Sequence, residues 1–140
     1  MTTPDNMQRL SNTAEKTFTA EVDKSGFVLK FENEAVTGLR NDPNLVISYA
    51  VDNYPDTSKL IFHIKGISAA NMAVVGEAMY EYCLKVLHTL PTNVRVEASE
   101  SPVYRNQWDF LVWGIPTLRA SELKSLTLKT LKEALHKANK

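Results

Sequence analysis

Cysteine is almost missing from this sequence. Cys83 is the only one in 140 residues, so no internal disulfide can form and the fold does not depend on an oxidising compartment. Glycine is sparse, with five in all, and no glycine-rich loop precedes a lysine as a phosphate-cradling loop requires. Net charge is absent as well. The 16 basic and 16 acidic residues cancel, so the chain as a whole has no pull toward phosphate backbones or anionic lipid. No apolar run approaches the roughly 18 residues of a membrane span, and the first ten residues are too polar for a signal peptide. The expected location is therefore cytoplasmic, with no membrane partner. His63, His88 and His136 stand on different segments. No His-x-x-x-His, Glu-x-x-His or Cys-x-x-Cys spacing occurs, so the local metal signatures are missing, and no cofactor is expected.

What is present is an ordinary globular composition, 44% apolar and 23% charged, of a length that suits one domain. Residues 1–15 are polar and without period, and read as a flexible arm ahead of a single domain over 16–140. Alternation begins at Phe18, Ala20 and Val22. The turn Asp23-Lys24-Ser25-Gly26 leads into a second alternating run, Phe27, Leu29 and Phe31, which predicts a hairpin. Residues 32–43 read as a polar loop. Leu45–Val51 and the run Leu60, Phe62, Ile64 predict two more strands, joined by a turn at Asn53-Tyr54-Pro55-Asp56.

The period changes after Gly66. Ser68 is a good N-cap, and Met72, Val75, Met79, Cys83, Val86 and Leu90 recur at helical spacing until Pro91. Ala69, Ala73 and Gly76 on this helix suggest close approach to a neighbour. Val94–Ala98 and Trp108–Val112 predict two further strands. A second amphipathic helix reaches Ala138, with Leu128, Leu131 and Leu135 in line. The expected fold is α+β: a mainly antiparallel sheet of about six strands in the order β-β-β-β-α-β-β-α. A long central helix packs on one face, followed by a C-terminal amphipathic helix.

Each constellation that could carry chemistry has a plainer reading. Cys83 lies on the apolar stripe of the long helix, where a buried, inert thiol is expected. Glu77 and Glu81 stack at i, i+4, but Glu81 has Lys85 as a helical partner. Tyr104, Arg105 and Trp108 set aromatics beside a cation, as single-stranded nucleic-acid binders do. The last helix is basic: six basic against two acidic residues from Arg119 onward. Trp108 is nonetheless in register with Phe110 and Val112, which makes it a core residue first. Nucleic acid therefore ranks third among the expected ligands.

The sheet faces say more. Phe27, Leu29, Ile47, Tyr49, Leu60, Phe62, Phe110 and Val112 form the expected inner set. The expected outer set contains Val28, Val46, Ala50, Ile61, Leu111 and Trp113, softened by Lys30, Ser48, His63 and Asp109. That is too apolar for a face left in water. Either the last helix folds over it, or a second subunit or another protein does. The reading that follows is a non-enzymatic protein-binding or assembly module, self-associating as a dimer or binding a protein partner. Its candidate contact residues are Val46, Ile61, His63, Leu111, Trp113, Leu128, Leu131 and Leu135. The alternative is a small-ligand binder or enzyme with a site assembled from dispersed residues such as Tyr49, His63, Arg95 and Asp109. The element order is similar to that of small secretion-chaperone-like α+β domains, an architectural resemblance that implies dimers binding extended partner segments. No sequence motif of that class accompanies it.

Overall fold

A computed structural model describes residues 16–22 and 26–140. The arm expected over residues 1–15, and Asp23–Ser25 of the first turn, lie outside the described residues. The elements follow the expected order: β1 (Lys16–Val22), β2 (Val28–Ala35), β3 (Val46–Asn53), β4 (Thr57–Lys65), α1 (Ala69–Lys85), β5 (Arg95–Glu100), β6 (Gln107–Pro116) and α2 (Ala120–Ala138). The six strands form one antiparallel sheet in the order β1-β2-β3-β4-β6-β5.

Directly opposed residues in an antiparallel ladder point to the same side, so the register sorts the side chains. One face carries the rows Ile47–Ile64–Trp108, Tyr49–Phe62–Phe110–Ala98 and Val51–Leu60–Val112–Val96. Both helices pack on this face. Val75, Met79 and Tyr82 of α1 and Leu123, Leu131 and Leu135 of α2 join the strand residues in one buried cluster. The stripe at Leu128, Leu131 and Leu135 thus meets the chain's own core. Leu131 and Leu135 are fully buried there, and Leu128 is partly buried against it.

Two expectations are corrected. Phe27 and Leu29 do not belong to the inner set. Glu32, directly opposite Tyr49, and Glu34, opposite Ile47, put the even-numbered residues of β2 on the helix side, so Leu29 and Phe31 point away. Val28 and Lys30 accordingly leave the outer set. Gly76 meets no neighbour, because a Cβ added there would touch nothing within 4 Å, and Ala69 and Ala73 are exposed.

The segment between β2 and β3 is more than a loop. Val36 and Leu39 are buried, as is Asp42. Asp42 Oδ2 accepts hydrogen bonds from the Ser68 backbone N–H (2.9 Å), the Ser68 hydroxyl (3.0 Å) and Asn71 Nδ2 (2.7 Å). The first turn of α1 has no acidic residue of its own. Asp42 supplies the negative charge that the positive end of the helix dipole favours. Ser68 caps the helix as expected, its Oγ accepting from Asn71 N. No helix of the described residues is long and apolar enough to cross a membrane.

Candidate functional site on the helix-free face

Among the described residues, no helix lies over the opposite face of the sheet. Its side chains come from Leu29, Phe31 and Asn33 on β2, Ser48 and Ala50 on β3, Lys59, Ile61 and His63 on β4, Asp109, Leu111 and Trp113 on β6, and Arg95 and Glu97 on β5. Phe31, Ala50 and Ile61 form a small buried cluster of their own, with Leu29 and Leu111 packed against it. This makes an apolar band across the middle strands. Val46 continues the face at the end of β3 and is half-buried.

Trp113 stands beside this band. Lys59 from β4 places its Nζ 4.5 Å from the ring centroid, and Arg95 from β5 places its Cζ 4.7 Å away. The two strands flanking β6 thus each hold a cation against the indole. Such contacts contribute about 0.5–1 kcal/mol at exposed sites, and they restrict the ring's orientation.

On the other side of the band runs a polar row, Ser48–His63–Asp109–Ser99, directly opposed across four strands. His63 Nδ1 lies 2.6 Å from Asp109 Oδ1, and Gln107 Nε2 donates to the same oxygen at 2.9 Å. The Phe31 ring stacks on His63, with centroids 5.6 Å apart. Burial alone would raise the Asp109 carboxyl. The hydrogen bonds from His63 and Gln107, with the charges of His63 and Lys65, outweigh it and hold the group below its usual range.

A depressed folded-state pKa gives stability that is complete above the unfolded value, about 3.9 for aspartate. It is lost as pH falls through the lower folded value. The stability difference between the wild type and Asp109→Asn is therefore expected to be constant at neutral pH and to shrink as pH falls below that range. Urea unfolding from pH 7 to pH 2 measures it. A difference that is unchanged at pH 2 would remove the role given to this carboxylate.

Ser48, His63 and Asp109 stand in the order of a nucleophile, base and orienting acid, but the arrangement lacks what acyl transfer requires. The base must hydrogen-bond the nucleophile, and a reacting atom must be able to reach it. Ser48 Oγ is buried and makes no hydrogen bond. The dispersed set of the alternative reading is also divided. His63, Asp109 and Arg95 share this face, whereas Tyr49 points to the helix side. Among the described residues, no group of three or more His, Cys, Asp or Glu side chains is arranged to hold a metal ion.

Two clefts lie on the helix side. One of about 440 Å³ runs between Glu32, Tyr49 and the Lys124–His136 stretch of α2. Its lysines are matched by carboxylates: Lys124 with Glu32 at 3.5 Å, Lys132 with Glu34 at 2.7 Å and Lys129 with Glu133 at 3.9 Å. Burial, followed by the charges of Glu32 and Glu34, pushes the Tyr49 hydroxyl above its ordinary range. A second cleft, of about 730 Å³, is the open groove between α1 and α2.

Of the expected contact residues, Val46, Ile61, His63, Leu111 and Trp113 come together on the helix-free face. Leu131 and Leu135 leave the candidate surface because the core of their own chain buries them. Tyr104 and Arg105 are exposed, but Trp108 is buried and stacked on Phe110 at 5.8 Å, so its ring is not available to a base. Cys83 is partly buried against the core, and burial raises its thiol. The sequence reading placed Phe31 in a strand but not on this face. No protein-family model matches the chain, and no curated protein or solved structure matches it either.

Proposed function

We propose that this chain is a non-enzymatic protein-binding and assembly module whose copies associate through the helix-free face of the sheet. One observation carries the reading. Among the described residues both helices lie on the opposite face, so no helix covers Leu29, Leu111 and Trp113, which stay partly exposed beside the buried Phe31 and Ile61. Tryptophan is enriched at the anchoring positions of protein interfaces. Here the cations of Lys59 and Arg95 already hold its ring, which lowers the ordering cost of docking against it.

Light scattering tests the proposal. The chain weighs 15.7 kDa. The expected result is a mass of at least two chains at high concentration, falling when Trp113→Asp or Leu111→Asp places a carboxylate in the contact. The lost indole anchor at position 113, and the buried, unpaired charge at position 111, are each expected to weaken association by 100-fold or more, on the order of 3 kcal/mol. A single-chain mass at high concentration, unaffected by either substitution, would overturn the reading.

A further inference from the structure

We propose that β1 is a second self-association site, at which the β1 strands of two copies pair antiparallel and join the two sheets into one. This contact is separate from the one on the helix-free face.

The two edges of the sheet differ. Three of the six residues of β5 (Arg95, Glu97 and Glu100) are charged, a common way of guarding a sheet edge. β1 runs for seven residues in unbroken register with β2, from Lys16 opposite Glu34 to Val22 opposite Val28. It contains no proline or bulge, and Glu21 is the only charged residue over Thr17–Val22. Among the described residues, β1 pairs with β2 alone. The N–H and C=O groups on its far side are satisfied most fully by another strand.

The side chains indicate which strand. Phe18, Ala20 and Val22 share the helix-side face with Val28, and Phe18, Val22 and Val28 are 52%, 68% and 64% exposed. The helices therefore stop short of β1 and leave room for a neighbour. A two-fold axis at Thr19 sets Phe18 of each copy opposite Ala20 of the other, large against small. On the opposite face it sets Glu21 of each copy opposite Thr17 of the other. No like charges meet, both helix layers stay on one side, and the two helix-free faces become continuous.

The test uses the full chain carrying Trp113→Asp, which removes the other proposed contact. Mass by light scattering and a dissociation constant by sedimentation are the readouts. The parent is expected to reach a two-chain mass at high concentration. Thr17→Glu sets like charges opposite each other at two symmetric places and is expected to return the single-chain mass. Thr17→Lys sets opposite charges there and is expected to tighten the dimer roughly 2- to 30-fold at low salt. Thr17 is exposed, and unchanged thermal unfolding of both variants would show that the fold survives. A single-chain mass in the parent, as when residues 1–15 occupy the edge, overturns the proposal. So does a response that is not opposite for the two substitutions.

Discussion

Gly114→Ala is expected to destabilise the fold by about 3 kcal/mol or more and to lower the midpoint of thermal unfolding by on the order of 10 °C. Gly114 lies in β6 with φ +82°, a region in which any side chain is strained. A Cβ there would sit 2.2 Å from the Asn93 carbonyl oxygen. That oxygen belongs to the backbone leading into β5, so no flexible side chain can swing away. The whole approach of β5 to β6 has to move. The same approach is fixed by the Thr92 hydroxyl, which donates to the Gly114 carbonyl. Gly38→Ala is the control. Its φ is also positive, at +80°, but nothing lies within 4 Å, so its cost should stay near the bare left-handed penalty of roughly 1–2 kcal/mol. Urea unfolding of the two variants measures the difference. Equal effects would refute the steric argument.

Asp42→Ala is expected to cost about 3–4 kcal/mol. One buried carboxylate oxygen accepts from three donors, and its removal leaves a buried Asn71 amide and the Ser68 N–H without their acceptor. Hydrogen bonds to a charged group contribute roughly 1.5–3 kcal/mol each, less than additively when they share one acceptor. The effect should spread beyond the helix start. Asn71 Oδ1 accepts from Asn139 Nδ2 at 3.1 Å, and Asn139 Nδ2 also donates to the Leu135 carbonyl. Amide exchange should therefore accelerate in the first turn of α1 and in the last turn of α2 together. Asp42→Asn keeps an acceptor in place and should lose less than half as much. Fast exchange confined to α1 would count against a shared network.

Much of this fold was legible in the sequence, because strand and helix periods are local properties. The alternation of β3, β4 and β6 and the cap at Ser68 depend on neighbouring residues, whereas the long helix ends at Lys85 and gives way to a 3-10 turn over Leu87–Thr89, ahead of the stop expected at Pro91. The assignment of faces depends on distant ones. Alternation says which residues share a side, but when both sides are apolar it does not say which side the helices cover. Around β2 the natural choice was to bury Phe27 and Leu29 under the helices. The chain instead turns Glu32 and Glu34 to that side. It can do so because Lys124 and Lys132 reach them from α2, 92 and 98 residues away. Asp42 was equally out of reach, since nothing local to a loop carboxylate announces a helix start 26 residues later. On the helix-free face, Leu111 and Trp113 were visible from alternation. The union of His63 with Asp109 appears only once β6 is known to lie beside β4.

That placement of β6 also sets an order of events during synthesis. The first four strands are a meander, and each can pair as soon as it leaves the ribosome. β4 then has no partner on its other side until residues 107–116 exist, because β6, not β5, completes it. At roughly 5–20 residues per second the interval lasts on the order of seconds. Through it, a strand carrying Leu60, Ile61, Phe62 and Ile64 presents an open edge. α1 is made during that interval and brings Val75 and Met79 to one apolar side of this nascent sheet. The other side must wait for Leu111 and Trp113 to arrive on the last strand.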